Sequence, residues 1–392
     1  MRTYEGTHPW LTFRLDLRQA PHTFWSLLGE AASKCEHLAG VPLQPSVAQQ
    51  MRQLFLAKGA RATTAIEGNT LTEDEVLRRI QGEAHLPPSK EYLGQEIDNI
   101  VAACNEIETR LLEGGGTDLT PGLLKRYNAA VLRNLTVEPE VIPGEIRTYN
   151  VGVSRYRGAP PEDCEFLLER LCGWLNSGTC VGGEIEPIAA GVIRALAAHL
   201  YIAWIHPFGD GNGRVARLVE FQFLIAAGVP NVAAHLLSNH YNITRTEYYR
   251  QLDRASQTGG DVFGFFTYAL RGFVDQLREQ IATVREQQLR VHWINFVHER
   301  FSGRNSTAAT RQRNLVLDLT GKPRVQRPDL RALSPRLAAA YSGKTAKTVS
   351  RDINELKSMG LIDEEAGGIV ARVDIMAAFL PRKRGNQAGI EE

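Results

Sequence analysis

The chain has 392 residues, 43% of them hydrophobic, and its 45 basic residues nearly balance 44 acidic ones. This length allows a large core and a second module, whereas the balanced charge excludes a chain built throughout to bind nucleic acid or a membrane surface. No apolar run approaches the about 18–20 residues that span a bilayer, and residues 1–13 lack the pattern of an export signal. The sequence therefore predicts a cytoplasmic protein without a membrane partner.

The cysteines support the same compartment. They are odd in number, and they form neither a CxxC pair nor a cluster with zinc-ligand spacing. We therefore expect reduced, mostly buried thiols rather than a disulfide framework or a structural zinc site. The five cysteines are Cys35, Cys104, Cys164, Cys172 and Cys180.

Nearly every segment has apolar side chains at the three- and four-residue steps that predict helices. Thr72 and Glu75 form a capping box before one helix, and Thr120 with Pro121 supplies another with an N-cap and a first-turn proline. Further helices are predicted over residues 23–39, 46–62, 90–113, 162–176, 187–205, 214–227, 245–255 and 262–297. The fold class is therefore predicted to be all-α.

Two stretches depart from the helical pattern. Pro143-Gly144 and the β-prone residues that follow predict a short hairpin between residues 141 and 161, and the small polar residues 302–310 predict a linker. Beyond the linker, the pattern predicts helices over 314–319, 328–340 with a restart at Ser334-Pro335, and 345–359, followed by a hairpin that turns at Gly367-Gly368.

The stretch most informative about function is 206–217, which reads HPFGDGNGRVAR. An apolar helix delivers His206 to its C-terminal end, a turn-rich loop follows, and a new helix begins near Gly213. Gly211 and Gly213 allow the backbone to approach a ligand closely. The free N–H groups and the dipole of the new helix favour a negative charge in the loop. This arrangement predicts an anion-binding site.

The charged side chains of the same stretch suit phosphate chemistry. Arg214 and Arg217 lie one turn apart, so both can flank one anion. Asp210 is an oxygen ligand suited to Mg²⁺ held mainly by phosphates, and His206 can accept a proton near neutral pH. Phe208 is expected to point inward and hold the loop. Phosphate-ester transfer needs a base, a metal ligand, an anion-binding site and cationic side chains, and this stretch contains all four.

This stretch matches, at every specified position, the signature of the Fic family, His-x-Phe-x-Asp/Glu-Gly-Asn-Gly-Arg-x-x-Arg, and the resemblance covers roughly residues 24–274. Residues 143–161, PGEIRTYNVGVSRYRGAPP, resemble the family's flap hairpin, which aligns the target segment by strand addition in relatives. Residues 245–252, RTEYYRQL, resemble the adenine-side segment. The resemblance implies a Fic helical core with one small β-hairpin flap.

The resemblance implies a protein adenylyltransferase that moves AMP from Mg-ATP to a Ser, Thr or Tyr hydroxyl of a target protein. His206 would be the base that deprotonates this hydroxyl before it attacks the α-phosphate, and Asp210 would hold Mg²⁺. The implied nucleotide contacts are Gly211, Asn212, Gly213 and Arg214 to the α- and β-phosphates, Arg217 to the γ-phosphate, and Val151, Gly152, Val153, Ser154, Tyr248 and Tyr249 around the nucleotide.

One departure from the family pattern and one agreement with it refine this expectation. Ser256 stands where some relatives have an adenine-side Asn, which leaves base selectivity less defined than phosphate handling. Gly211 and Gly213 are kept, whereas a kinase-like branch of the family has alanine and lysine there. The chain therefore favours AMP transfer over phosphate transfer.

Glu67 lies at the end of the second predicted helix. Taken alone, it is either a solvated carboxylate beside a Gly68-Asn69 C-cap or a functional group, because the helix dipole disfavours a negative charge there. Residues 63–68, TTAIEG, fit the Fic inhibitory pattern Ser/Thr-x-x-x-Glu-Gly/Asn. The resemblance implies that Glu67 forms a bidentate pair with Arg217 and displaces ATP into an unproductive pose. A second implied use, activation of a water for AMP removal, stays open.

Residues 314–373 resemble a winged helix in the order helix, helix, helix, hairpin. Its predicted recognition helix is net positive, with four cations against Asp352 and Glu355. DNA contact through the major groove competes with a protein-docking or dimerising module, and the balanced charge of the chain favours the second. The four cations are Lys344, Lys347, Arg351 and Lys357.

Four regions and several alternative functions follow. The expected regions are an N-terminal helical region 1–110 with an inhibitory helix at 46–69, a Fic catalytic core 111–280, a helix and linker 281–310, and a winged-helix domain 311–392. The competing functions are AMP removal, UMP or phosphocholine transfer, and a DNA-binding regulator that only senses nucleotide. Intact His206 argues against the regulator. Self-modification and a homodimer are left open, and neither a P-loop nor an HExxH zinc motif is present.

Overall fold

The computed structural model describes residues 2–83, 86–153, 156–365 and 367–377. Within these residues the fold is mostly helical with two small antiparallel hairpins, which confirms the predicted all-α class. The chain divides into two compact units, Met1–Ile281 and Ala282–Glu392.

The first unit carries the flap hairpin and most of the helices. Its hairpin pairs β1 (Gly152–Val153) with β2 (Tyr156–Arg157) in antiparallel register. Its helices are α1 (Thr3–Thr7), α2 (His22–Ala39), α3 (Pro45–Ala65), α4 (Glu73–Ile80), α5 (Glu91–Leu112), α6 (Pro121–Val131), α7 (Cys164–Asn176), α8 (Pro187–Ile205), α9 (Asn212–Ala226), α10 (Asn231–Ala234), α11 (Leu236–Ile243), α12 (Arg245–Gln257) and α13 (Phe263–Arg300), the last of which contains the division between the units. Short 3₁₀ helices cover Leu17–Gln19, Pro88–Lys90 and Pro161–Asp163.

The helix starts follow the sequence signals. The Thr72 hydroxyl accepts from the Glu75 N–H while the Glu75 carboxylate accepts from the Thr72 N–H, so the predicted capping box caps α4. Thr120 caps α6 through the Leu123 N–H at 3.1 Å. Glu186 caps α8 by accepting from two backbone N–H groups. These contacts satisfy amides that have no partner within the helix.

The core is built around α8 and α9, which pack closely against each other. Gly191 of α8 faces Ala227, just beyond the end of α9, and a Cβ on this glycine would lie 2.2 Å from the Ala227 Cβ. The expectation that no apolar run is long enough to span a bilayer is wrong for α8, which passes that test by length and composition. Its most apolar window is 83% buried in the protein, because this helix is surrounded by other helices of the core.

The second unit contains three helices followed by a hairpin, in the predicted order. They are α14 (Thr307–Leu319), α15 (Pro335–Tyr341), α16 (Ala346–Ser358) and the strands β3 (Ile362–Glu365) and β4 (Gly368–Ala371), with short 3₁₀ helices at Asp329–Ala332 and Val373–Ala377. Its apolar core includes Trp293 and Val297 from the end of α13. The assignment of this unit as a winged-helix domain stays a prediction.

Two boundaries differ from the sequence expectation. The predicted linker 302–310 is wrong at its end, because the Ser306 hydroxyl accepts from the Ala309 N–H and starts α14 at Thr307. The predicted helix 328–340 is two pieces, and the second restarts at Ser334-Pro335 as expected, since the Ser334 hydroxyl caps α15.

The Gly191 contact predicts a stability effect. Gly191→Ala should lower the free energy of unfolding by about 1–3 kcal/mol, because the added methyl overpacks the contact between the two core helices. Thermal or urea unfolding measures this change. The matched control is Gly173→Ala on α7, where a Cβ would meet no atom within 4 Å, and this change should be neutral or slightly stabilising. Equal stability of the two variants would contradict the prediction.

Candidate active site

His206 terminates α8 in a left-handed conformation. Its φ is 50° and its ψ is 58°, a backbone state that costs a non-glycine residue on the order of 1–3 kcal/mol. Its Nδ1 lies 3.3 Å from the Ala203 carbonyl oxygen. A carbonyl can only accept, so Nδ1 holds the proton and Nε2 keeps its lone pair. Burial lowers the pKa of His206 to about 4, and the imidazole is therefore neutral at pH 7.

The loop after His206 is closed by Asn212. The Asn212 side chain accepts from the Phe208 N–H at 2.9 Å and donates to the Phe208 carbonyl at 2.8 Å. Phe208 is buried, as expected. Both ends of the Asn212 amide are thus used within the loop, so its side chain holds the loop shape, and only its backbone N–H is left to serve the predicted phosphate contact.

Two residues that sequence reasoning missed hold this loop from outside. Asn128 of α6 donates to the Asp210 carbonyl at 2.8 Å and accepts from the Gly144 N–H at 2.9 Å. Arg147 is buried, and its Nε donates to the His206 carbonyl at 2.7 Å. Neither has a local sequence signal, because a single Asn in a helix or Arg in a loop is usually solvated.

The N-terminus of α9 presents the predicted anion site. Gly211 precedes it with φ 80°, and no side chain caps this end. The first N–H groups of a helix have no partner within it, so this end favours a negative charge. Arg214 and Arg217 are both buried beside it. Arg217 Nε and Nη1 and Arg214 Nε have no hydrogen-bond partner among the described residues.

Glu67 occupies this anion site. Its Oε1 lies 2.6 Å from Arg217 Nη2, which also donates to the Thr63 carbonyl at 2.9 Å. A Cβ on Gly213 would stand only 2.4 Å from that Oε1, so the glycine makes room for the carboxylate over the first turn of α9. The expected bidentate geometry is wrong, because Arg217 Nη1 forms no bond to Glu67 among the described contacts.

The segment that carries Glu67 is fixed on both sides. Asn69 donates to the Leu93 carbonyl at 2.9 Å and to Glu96 Oε2 at 2.7 Å, and Gly68 turns the chain with φ 109°. On the other side, the Tyr249 hydroxyl donates to the Ile66 carbonyl at 3.4 Å. The position of Glu67 therefore depends on α5 and α12 as well as on its own helix.

A cavity of about 560 Å³ joins the candidate groups, within the size range of small-molecule sites. The predicted residues that line it are Glu67, Val153, His206, Gly213, Arg217, Tyr248 and Tyr249. Val151, Gly152, Asp210, Gly211, Asn212 and Arg214 do not line this cavity, and Ser154 lies outside the described residues. The structure thus brings together His206, Arg217, Glu67 and the two tyrosines.

The polar residues on the expected adenine side of the cavity differ from the sequence expectation, which placed Ser256 there. Ser256 is buried, and its hydroxyl donates to the Asp253 carbonyl at 2.8 Å instead of lining the cavity. Asp253 and Arg250 line the cavity in its place. Tyr248 packs below, where its hydroxyl lies 2.8 Å from His199 Nε2.

The residues present fit a magnesium ion held mainly by phosphates. No group of three or more His, Cys, Asp or Glu side chains in the described ranges could hold a metal alone. Asp210 offers one half-exposed carboxylate, and both of its oxygens accept from Arg214 Nη2 at 2.9 Å. A single carboxylate beside unpartnered arginine donors suits Mg²⁺ that arrives with a nucleotide.

Comparison with known proteins agrees with this geometry. Residues 118–224 match the sequence profile of the Fic/DOC family. The chain contains a Fic/DOC-family domain. It is homologous to proteins named protein adenylyltransferase: fic-1 of Caenorhabditis elegans is 29% identical over 57% of this chain and 41% of the relative, and Fic of Nematostella vectensis is 25% identical over 53% and 45%. The chain thus spans about two-fifths of the length of these curated relatives.

Solved structures of Fic proteins share the fold. A Fic family protein from Desulfovibrio desulfuricans G20 superposes with a TM-score of 0.54 at 22% identity, over 88% of this chain and 92% of that chain. Fic-1 from C. elegans superposes with a TM-score of 0.55 at 23% identity, over 67% of this chain and 73% of that chain. At 22% and 23% identity, these similarities show a shared fold alone.

Two histidines with lowered pKa values predict a loss of stability in acid. Burial lowers the pKa of His206 and of His235 to about 4, from an ordinary value of 6.5. As the pH falls below 6.5, these histidines take up protons in the unfolded chain before they do so in the folded protein. The free energy of unfolding therefore decreases progressively between pH 6.5 and pH 4. His235→Gln should reduce the loss between pH 7.5 and pH 5 by roughly 1–2 kcal/mol.

Urea unfolding at the two pH values measures this difference. The matched control is His37→Gln on the exposed surface of α2, which should leave the pH dependence as it is in the wild type. An unchanged pH dependence in the His235→Gln protein would show that His235 does not contribute.

Proposed function

We propose that this chain transfers AMP from ATP to a hydroxyl of a target protein, with His206 as the base and Glu67 as an internal inhibitor. The observation that carries the proposal is the Arg217 guanidinium, which is buried in the wall of the cavity that holds His206 and has two N–H donors without partners in the described part of the chain. Such donors point to a missing anion. The names of the homologues support the same activity.

In the proposed transfer, the neutral imidazole of His206 acts as the base. Its neutral Nε2 takes the proton of the target hydroxyl, and the hydroxyl oxygen forms a bond to the α-phosphorus of ATP. The bond between this phosphorus and the bridging oxygen breaks, and pyrophosphate leaves. The products are the AMP ester of the target and pyrophosphate, while the proton rests on His206 and passes to solvent.

The helix end and the cations would hold the phosphates. The backbone N–H groups at the start of α9, with Arg214 and Arg217, supply donors to the phosphate chain. Asp210 would hold Mg²⁺, which when bound neutralises the charge that develops on the phosphates. Arg214 would then exchange its contact with Asp210 for a phosphate oxygen.

Glu67 competes with the nucleotide for the same charge. Its carboxylate lies on Arg217 and over the first turn of α9, where a phosphate would find the same donors. Two anions at one site repel each other, and Glu67 must withdraw before a phosphate can bind there. Two exposed residues, Val153 of the flap and Ile142 just before it, would border the target segment. We also propose a cytoplasmic location, which the five buried, free cysteines support.

Labelling with ATP that is radioactive at the α-phosphate tests the activity. Glu67→Gly should raise transfer of label to proteins of a cell lysate by roughly tenfold or more, since couplings of this kind span about 5–150-fold. Adding His206→Ala should lower it again by about 10²–10⁴-fold. Each protein is assayed with Mg²⁺, and binding of ADP by calorimetry serves as the control for an intact site.

The other outcomes separate the alternatives. Loss of pre-formed label from targets on incubation with wild type would show AMP removal. No label from any protein, with ADP binding retained, would contradict AMP transfer and favour another donor or nucleotide sensing.

The second unit supports a second proposal, contact with DNA through α16. Asp352, the acid in the middle of this helix, points inward: it is 2% exposed and accepts from Arg311 at 2.7 and 3.1 Å. Glu355 lies 3.5 Å from Arg304. Asp352 is therefore neutralised inside the fold, whereas Glu355 stays half-exposed on the surface beside Arg304.

What remains on the surface of α16 is a basic and polar stripe. It lines a shallow groove at steps of three and four residues, Lys347, Ser350, Arg351 and Asn354, together with Glu355. In the described residues Lys347 and Arg351 form no ion pair of their own. Glu364 of the hairpin is paired with Arg327 at 2.6 Å. A helix with these donors after a tight turn suits the major groove.

Fluorescence anisotropy with a labelled 20-base-pair duplex tests DNA contact by the full chain. Binding should weaken as salt rises from 50 to 200 mM, and Lys347→Ala with Arg351→Ala should lower the salt slope by about two. Arg336→Ala is the control, because this exposed arginine pairs with Asp318 away from α16. Absence of binding at 50 mM salt, or equal binding by the double variant, would leave protein docking as the use of this surface.

A further inference from the structure

The guanidinium of Arg147 lies between the flap and the end of α8. Its Nε donates to the His206 carbonyl at 2.7 Å, its Nη1 to the Tyr149 carbonyl at 2.6 Å, and its Nη2 to the Ala159 carbonyl at 2.5 Å. Its backbone N–H donates to the Pro207 carbonyl at 3.0 Å. The side chain thus joins the entry of the flap, its exit and His206, and the backbone of the same residue adds the bond to Pro207.

Burying the charge of Arg147 costs free energy that no ion pair with a described residue offsets. The residue is only 4% exposed, and within the described residues no carboxylate pairs with it. Burial lowers its pKa, as expected for a charge taken out of water. A buried cation without an ion-pair partner is retained when several acceptors need its donors. Here the acceptors are carbonyl groups of turns, which have no partner in a helix or sheet.

The carbonyl of His206 is the most consequential of these acceptors. His206 is held in the left-handed region, and a strained residue persists only where its surroundings over-determine it. Its N–H donates to the Ile202 carbonyl at 2.9 Å, and Arg147 holds the carbonyl on the other side. The two bonds fix the orientation of the backbone from which the imidazole projects.

We propose that Arg147 is a positioning residue that holds the His206 backbone, and with it the imidazole, in the orientation needed for proton transfer, while tying the flap to that histidine. This inference rests on the proposed function for its catalytic consequence. Arginine suits the task because its planar fork reaches several acceptors at once, whereas the ammonium of lysine is a single point.

Gly158 provides independent support. It lies at the exit of the flap, and a Cβ on it would stand 2.9 Å from both Arg147 Nη2 and the His206 Cβ. The absence of a side chain lets the flap, the arginine and the histidine come together. Gly158→Ala should therefore disturb the same arrangement without removing a charge or a donor.

Kinetics in the Glu67→Gly background test the inference. Arg147→Met should lower the maximal rate of labelling by about 100-fold, the effect of a misplacement of about 1 Å, with a smaller loss in Arg147→Lys. The half-saturating ATP concentration and the ADP dissociation constant should stay within about threefold, because the loss falls on the chemical step rather than on binding. Gly158→Ala should show the same division between rate and affinity.

Two controls separate positioning from a general structural effect. Arg110→Met removes another partly buried arginine, one that bonds Tyr127 and Gln222, and should lower stability without changing the rate. The ¹⁵N NMR signals of the His206 imidazole, assigned by their loss in His206→Ala, should move in Arg147→Met, Arg147→Lys and Gly158→Ala and stay in place in Arg110→Met.

The outcomes distinguish the two proposals. If Glu67→Gly transfers no label, the proposed function fails, and the NMR signals still decide whether Arg147 positions His206. If label is transferred but Arg147→Met keeps its maximal rate, or loses only ATP affinity, the inference is overturned. Unmoved His206 signals in a folded Arg147→Lys protein overturn it as well.

Discussion

The six residues 206–211 connect two helices that are buried almost all round, and three of the six are themselves buried, so the loop needs partners for its backbone polar groups from within the protein. Three side chains meet this requirement. Asn212 closes the loop on Phe208, Asn128 holds the carbonyl of Asp210, and Arg147 holds the carbonyl of His206. The rest of the site depends on this satisfied loop, because it determines where the imidazole and the N-terminus of α9 face the cavity.

The second constraint is the positive charge gathered at that helix end. Arg214 and Arg217 are both nearly inaccessible to water, and buried charges are tolerated only with partners. Arg214 donates to Asp210 at 2.9 Å, and Arg217 lies 2.6 Å from Glu67. Each arginine at the helix end thus has a carboxylate partner. The inhibition proposed for Glu67 would use the same ion pair that compensates the buried charge of Arg217.

The partner of Arg217 is held by a longer chain of contacts. Glu67 follows α3, while Asn69 ties the next turn to α5 and Tyr249 reaches back from α12 to the Ile66 carbonyl. Tyr249 also lines the cavity. The wall of the cavity and the segment that carries Glu67 therefore share this contact.

Short-range chemistry accounts for the part of the structure that the sequence predicts directly: the helical class, the capping box at Thr72 and Glu75, and the histidine and glycines of the 206–217 stretch. The pairing of Glu67 with Arg217, 150 positions away, is predicted only through the family resemblance. Tertiary structure alone decided what depends on distant partners. Arg147 and His206 are 59 positions apart, Asn128 and Asp210 are 82, and Arg311 and Asp352 are 41. No local periodicity records such pairs. Sequence reasoning therefore counted Asp352 as a surface charge and overlooked Arg147, because burial of a polar side chain is a property of the packed fold.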